Sequence, residues 1–426
     1  MKRKVLAGIV TVAMVASLAA CGGDQKSSTA TNDAGANDAQ TTNAGSDDEG
    51  TAAQGSADEG SEGTAVALDR SWPEETVLIG VETFDTTSDQ FLSMQSYFDY
   101  LSENFNVEFM YSEALSSPED EMNFIESCAS AGAKGMIGYY NISGAEAMQA
   151  AMDKGMYYWG TEQYYDQFAN NEMYAGCYTL PSSGDVEGNG DYMGGYEMGY
   201  SLGKQGVKHV FYCNGGASMG IQMFIDRQAG FEAGIAAAQA EGAEIQYDPA
   251  ADVVEGWPDA PDFAAAVGSK LSGDYDGVAA AFDAAALFQP IMDANKADSI
   301  KVATIGAVCD TYYDFVQSGL LSTIVYECEE VEFGNAVVQI LNAVSGETSA
   351  YMNADGTANK ISCYRWVVTD ADSYDKIYSY HDAGNWFVSA EDVASMLVGY
   401  NPDITAQEVN DFYASLTLEK ALEIAQ

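Results

Sequence analysis

Four arginines stand among 426 residues, and only Arg227 and Arg365 fall in the part of the chain that reads as folded. Arg227 lies in Phe224-Ile225-Asp226-Arg227-Gln228-Ala229-Gly230-Phe231, after the glycine pair Gly215-Gly216. A guanidinium is a rigid fork of donors that grips a carboxylate or vicinal hydroxyls at two points. Its plainer use is a pair with a helix neighbour, here Asp226 or Glu232. A second group of residues closes successive apolar runs: Phe84 and Asp85, Tyr139 and Tyr140, Glu162 and Gln163, Asn214, Trp257, Phe282 and Asp283, Asp310, and Tyr326. Flat rings interleaved with acceptors suit the faces of a sugar ring or a planar heterocycle. Taken singly, each ring is better explained by core packing, and the set says more than any member.

Other chemistry is poorly provided for. His209 precedes an apolar run and His381 sits in a Tyr/Asp-rich stretch, and these are the only two histidines. No Gly-x-Ser-x-Gly occurs, so an enzyme would rest on carboxylates alone, for instance Glu162 with Asp310 as a glycosidase pair. No enzyme is expected. Gly215-Gly216-Ala217-Ser218-Met219-Gly220 is neither a dinucleotide fingerprint nor a phosphate loop, because no Lys-Ser/Thr follows it. No cofactor is expected. Asp185, Glu187, Asn189 and Asp191 alternate as calcium ligands do, but the distal Glu of an EF-hand is missing, which favours a polar loop and no metal. With 17 Lys and Arg against 65 Asp and Glu, the net charge of −48 repels phosphate backbones and excludes nucleic acid.

The elements that would position these residues alternate regularly. Thr76–Val81 is a continuous apolar run, the mark of a strand buried on both faces. A helix from Ser88 to about Glu103 and a strand at Val107–Met110 follow. Ser117 and Pro118 open a helix to Ala131 as cap and first residue. Strands at Met136–Tyr139 and Met156–Trp159 flank a helix at Ala145–Lys154. After a Gly/Asp-rich segment come helices at Gly195–Lys204, Ile221–Ala240, Asp259–Leu271, Ala284–Ala294, Tyr312–Gln317 and Glu332–Val344. They alternate with strands at Val207–Cys213, Glu244–Tyr247, Gly277–Phe282, Lys301–Ile305 and Ser322–Tyr326. Strand–helix–strand repetition means an α/β fold with doubly wound parallel sheets. About 350 residues exceed one core, so two lobes are expected.

The N-terminus reads differently. Lys2, Arg3 and Lys4 precede the apolar run Val5–Ala16, which is too short to span a bilayer. Leu18-Ala19-Ala20-Cys21 resembles a bacterial lipobox, which would make Cys21 the lipidated first residue of the mature chain. Gly22 to about Arg70 lacks aromatics and carries ten acids and two bases. Such a segment cannot bury enough surface to fold and reads as a linker. Thr405-x-x-Glu408 is a capping box for a helix near the C-terminus. The six remaining cysteines show no C-x-x-C and read as buried free thiols.

The body resembles the type 1 periplasmic binding proteins, the ribose/galactose-binding group, from about Thr76 to Asp372. "AGAKGMIGYYNISGAEAMQAAMDKGMYYW" is similar to the second repeat of that family, with Tyr157 where a proline is usual. "DYMGGYEMGYSLGKQG" resembles its crossover helix, "RQAGFEAGI" its Arg-x-x-Gly-Phe element, and "VVTDADSYDKI" its final strand. The resemblance implies ligand-binding roles for Phe84 and Phe91 in the first lobe and places the family's acidic–basic pair on Glu162 and Gln163. It puts the binding arginine on Arg227, the second-lobe ring on Trp257 and the hinge position on Tyr326. Phe282 replaces an expected asparagine, leaving Asp283, and Asp310 is the nearest acid to a position where an aspartate is usual. Together with the N-terminal reading, a secretory signal at 1–20 and a lipidated Cys with linker at 21–72, it implies a first lobe of 73–183 with 327–362 and a second lobe of 184–326 with 363–382, leaving an extension at 383–426 outside the family. The function implied is that of a monomeric, lipid-anchored solute-binding protein on the outer face of the cytoplasmic membrane. It would deliver a sugar, or a nucleoside or other small solute, to an ABC permease, or present it to a membrane sensor kinase.

Overall fold

A computed structural model describes residues 72–162, 164–180, 190–258, 260 and 262–426. Cys21, Gln163 and the acidic positions 185–189 lie outside the described residues. The first sheet is built from β1 (Val77–Val81), β2 (Val107–Tyr111), β3 (Gly135–Gly138), β4 (Tyr157–Gly160) and β5 (Tyr174–Thr179). Helices α1 (Asp89–Asn104), α2 (Pro118–Ala131) and α3 (Ala145–Asp153) connect them. The second sheet takes β6 (Val210–Cys213), β7 (Val253–Val254), β8 (Gly277–Ala280), β9 (Lys301–Gly306) and β10 (Leu321–Tyr326). Its helices are α4 (Gly190–Lys204), α5 (Gln222–Ala240), α6 (Phe263–Leu271), α7 (Ala285–Asp293) and α8 (Asp310–Gln317). The chain then returns through α9 (Glu329–Ser345) to β11 (Lys360–Ser362) on the first sheet and crosses back to β12 (Trp366–Val368) on the second. It ends in α10 (Ala371–Asp382), α11 (Ala390–Ser395), α12 (Ala406–Ser415) and α13 (Leu418–Ile424).

The strand orders are β11-β5-β4-β3-β1-β2 and β12-β10-β9-β8-β6-β7. All pairings are parallel except β10 with β12. This is the doubly wound α/β architecture in two copies, and both orders reverse beside the first strand of the sheet. Side chains with the best access to a ligand are those just past the carboxyl ends of strands at that reversal.

Local chemistry fixes several boundaries where the sequence places them. The Ser117 hydroxyl accepts from the Asp120 N–H, Pro118 opens α2, and Gly132 closes it at φ 86°. Thr405 and Glu408 form the reciprocal box that starts α12. Elsewhere the structure differs. The segment expected as a strand at 244–247 makes only an isolated bridge between Gln246 and His209, and the edge strand is β7. β5 was not anticipated. Its pairing with β4 shifts register beside Gly176, which sits at φ 110° and interrupts the apolar pattern. α4 starts at Gly190 rather than Gly195, which puts Asp191 in its first turn.

α4 and α5 pack backbone to backbone, and this crossing builds part of the site. A Cβ on Gly195 would lie 1.9 Å from the carbonyl oxygen of Arg227, and one on Gly230 would lie 1.8 Å from that of Tyr192. Only glycine permits so close an approach, and it sets the first turn of α4 against Arg227.

Candidate functional site

The site forms where the carboxyl ends of both sheets and the crossovers between them meet. On the second lobe Arg227 is anchored from three sides. Its Nε donates to Asp191 Oδ1 at 2.7 Å, its Nη1 donates to the Ala281 carbonyl beyond β8 at 2.7 Å, and its Nη2 stands 3.7 Å from Glu327. The guanidinium lies 5.9 Å from the Phe224 ring, which meets Trp257 edge-on at 5.0 Å. Trp257 is 39% exposed. Asn214, past β6, donates to Glu255 at 2.8 Å. On the first lobe Phe84, past β1, is 43% exposed, and its ring is 5.5 Å from Tyr139 and from Tyr140 past β3.

Arg365 stands in the crossover between β11 and β12. Its Nη2 contacts Glu162 Oε1 at 2.5 Å and also touches Glu327, while Nη1 is 3.7 Å from Asp191 and Nε 3.9 Å from Glu332. Glu162 reaches it from a left-handed backbone at φ 57°, a conformation that costs a non-glycine residue energy and concentrates at functional sites. The Tyr178 hydroxyl on β5 lies 3.2 Å from both Glu162 and Glu332. From α1, Gln90 donates to Glu327 at 3.0 Å and Ser93 to Glu329 at 3.1 Å. Thr311 donates to Asp89 at 2.9 Å, joining α8 to α1 across the lobes. Two guanidiniums thus face four carboxylates within 4 Å, and the arginine side chains are only 9% and 7% exposed.

No family model matches the chain, and no curated protein matches its sequence. Solved structures do match. A solute-binding protein of an ABC transporter from Bacillus halodurans with bound myo-inositol aligns over 72% of this chain and 98% of its own, at TM-score 0.55 and 14% identity. A periplasmic solute-binding protein from Actinobacillus succinogenes with bound D-allose covers 70% and 99%, at 0.53 and 14%. A galactofuranose-binding protein covers 72% and 99%, at 0.52 and 14%. The fold is that of a type 1 periplasmic binding protein.

In this type 1 fold, five of the residues singled out from sequence lie around the strand ends: Phe84, Tyr140, Glu162, Arg227 and Trp257. The partner of Arg227 is neither Asp226 nor Glu232 but Asp191. Others lie elsewhere. Phe91 faces inward from α1 and packs on Tyr111 at 5.5 Å, so the polar face of that helix is carried by Asp89, Gln90 and Ser93. Tyr326 is 1% exposed and packs on Trp366. Successive residues of an extended chain point to opposite sides, so the polar hinge position falls on Glu327. Phe282 packs on Phe263 at 5.9 Å, and Asp283 accepts from the Ala285 N–H at 2.7 Å. Asp310 is held by the Tyr378 hydroxyl at 2.6 Å. The histidines are structural: His209 stacks on Tyr275 and reaches Asp274, and His381 reaches Glu330. Among the described residues five cysteines are buried and Cys309 is half-buried, all free.

Sequence reasoning missed Arg365, Asp191, Glu327, Glu332 and Tyr178. Arginine scarcity marks Arg365 as strongly as Arg227. Glu327, Glu329, Glu330 and Glu332 also carried a signal, because three acids open a mostly apolar helix and the fourth stands two residues before it.

Burial, against the pull of Arg365, pushes the Glu162 carboxyl up to about 7. It holds Glu329 and Glu332 well above the usual carboxylate range. Burial alone would lower Arg365, but Glu327, Glu162 and Asp191 outweigh it and keep the guanidinium charged. Several buried polar atoms here have no hydrogen-bond partner among the described residues: Arg365 Nε and Nη1, Glu329 Oε1, Glu332 Oε1 and the Tyr139 hydroxyl. Orphan groups of this kind are rare inside proteins and costly to keep.

Proposed function

We propose that this chain is an extracytoplasmic solute-binding protein that captures a small hydroxylated ligand, a sugar, between its lobes and delivers it to an ABC permease. The observation that carries the reading is the set of unpartnered donors and acceptors at the strand ends, flanked by the half-exposed rings of Phe84, Tyr140 and Trp257. A polyol offers donors and acceptors at close spacing and apolar ring faces, and so answers both features. The bound myo-inositol and D-allose of proteins sharing the fold support this class. The lobes are suited to close on ligand, because Asp89–Thr311 and Glu162–Arg365 already bridge the elements that would move. The reading is one of binding, not catalysis, and the chain is a monomer tethered by lipid on Cys21 to the outer face of the membrane.

A thermal-shift screen of the mature chain against monosaccharides, inositols and nucleosides tests this. Ligand at 100 times its Kd adds about 2.7 kcal/mol to stability. Stabilisation by sugars is the expected result. Stabilisation by none of them sinks the proposal, and stabilisation by nucleosides alone moves it to the other solute class.

A further inference from the structure

We propose that the ligand of this cleft carries a protonated amine on its hydroxylated frame, and that the cleft rejects anionic ligands. The proposal rests on reading the cleft as a ligand site.

Both guanidiniums are already engaged by the protein itself. Arg227 spends Nε on Asp191 and Nη1 on the Ala281 carbonyl, and Arg365 spends Nη2 on Glu162 and Glu327. The Arg365 donors still open to a ligand carboxylate or phosphate are Nε and Nη1, and there the anion would stand beside Glu332 and Asp191, which lie 3.9 and 3.7 Å from those nitrogens, so it meets like charge in a buried site. Ionised together, the four carboxylates around two guanidiniums and a fifth acid, Glu329, 1% exposed, carry more negative charge than the arginines answer, and burial favours a proton on the surplus until a cation takes its place. The excess is not evenly spread. Glu329 and Glu332 each present an Oε1 with no hydrogen bond, that of Glu332 standing 3.9 Å from Arg365 Nε, and the Glu332 side chain is 3% exposed. Ser93 satisfies only the other oxygen of Glu329. These two oxygens need donors, and an ammonium brings three donors together with the missing charge. The unpartnered Nε and Nη1 of Arg365 need acceptors, which ring hydroxyls supply. One molecule with an amine and hydroxyls therefore supplies donors to these oxygens and acceptors to these nitrogens, where a neutral sugar answers the hydrogen bonds but not the charge. The half-exposed rings of Phe84 and Tyr140 add faces that attract a cation.

A proton on Glu329 or Glu332 could remove the excess instead, and that alternative forecasts no preference for an amine. Calorimetry on the mature chain separates them, using hexoses and inositols each in three forms: neutral, amino-substituted, and uronate or phosphate. Where a neutral form binds, the amine should bind about tenfold more tightly and the anion at least about tenfold more weakly, each step being the affinity equivalent of one well-placed charge. Glu332→Gln should collapse the amine's advantage, so that the amine and neutral forms of one frame bind within about twofold of each other. An anion binding as well as its neutral parent, or an amine binding no better, overturns the inference and leaves the sugar-binding reading standing. Binding by no member in any charge state sinks that reading and this one together.

Discussion

The crossover segments of this chain present alternate residues to two very different environments. Glu327, Glu332 and Arg365 enter the charged cluster at the strand ends. Their neighbours Tyr326, Glu330 and Trp366 turn into the packing against the C-terminal segment. There, polar groups find partners. Trp366 Nε1 donates to the Leu416 carbonyl at 2.9 Å, and Glu330 accepts from the Phe387 N–H at 2.8 Å. Asn342 and Asn359 donate to the carbonyls of Met396 and Ala406. The Tyr413 hydroxyl is the exception. The cleft keeps five orphan atoms within one cluster. Two regions supplied by the same few residues of chain thus divide the work. One has satisfied its hydrogen bonds internally, Tyr413 apart, and holds the fold. The other has left its own open, at an energetic cost that is worth bearing only if something else is bound there.

Removing the satisfied side should have the largest effect. The segment after α10 runs from the second lobe to Tyr97 and Tyr100 on α1, packs α12 on β11 and α9, and returns through α13 to β12 and α10. Val388, Val409, Tyr413 and Ala421 are fully buried, and Phe387 and Leu416 nearly so. At about 1.5–3 kcal/mol for each large side chain, deleting 384–426 removes stabilisation on the order of 10 kcal/mol, comparable with the total for a domain. The truncated chain should lose cooperative thermal unfolding and its near-ultraviolet dichroism. A truncated protein melting at the wild-type temperature would mean the segment is an appendage.

Next comes the helix crossing that serves both purposes. Gly195→Ala puts a methyl 1.9 Å from a backbone oxygen that no rotamer change can move. The helices must separate, at a cost of about 1–3 kcal/mol or more, and Arg227 must leave Asp191. Stability and ligand affinity should therefore fall together. Unchanged melting would show that α4 and α5 have slack.

Substitutions in the cleft should separate stability from binding, and here the two ring and charge positions differ. Arg227 is buried and paired, so Arg227→Ala strands Asp191 and should lower stability as well as affinity. Trp257 is half-exposed, and Trp257→Ala should cost about 1–3 kcal/mol of binding, roughly 5- to 150-fold, with little change in melting temperature. Calorimetry beside a thermal melt reads both. Wild-type affinity in Trp257→Ala would remove that ring from the site.

The sequence reveals elements and caps better than partners. Ser117-Pro118 and Thr405-x-x-Glu408 are legible because capping is local chemistry, decided within four residues. Arg227 is legible because scarcity in an acidic chain needs an explanation. Asp191 is not, because it reads as the end of an acidic loop until a glycine crossing places it against α5. β5 is hidden because Gly176 breaks its pattern where the backbone must pass Asn359. The exchange of Tyr326 for Glu327 is an error of parity: a one-residue offset reverses which side chain points to the cleft, and periodicity cannot fix that offset at a strand's end.

The smallest effect should be the response of the charged side to pH. Glu162 has an ordinary value of 4.5 and is raised to about 7 in the folded chain, mainly by burial, with Arg365 opposing and Asp191 and Glu327 adding to the rise. A carboxyl raised on folding favours the folded state while it is protonated. Its contribution is fully present below about 4.5 and is lost as pH climbs toward 7. Glu329 and Glu332 are shifted in the same direction by the same burial. The ligand-free protein should therefore melt a few degrees higher near pH 5 than near pH 8, opposite to the trend of a carboxylate stabilised by its ion pair. Glu162→Gln should flatten part of that slope without abolishing it, because the other two acids remain. Melting curves across that range decide the matter. Stability rising with pH would mean that the arginines, not burial, govern these carboxylates, and that the cleft holds its negative charge fully ionised before any ligand arrives.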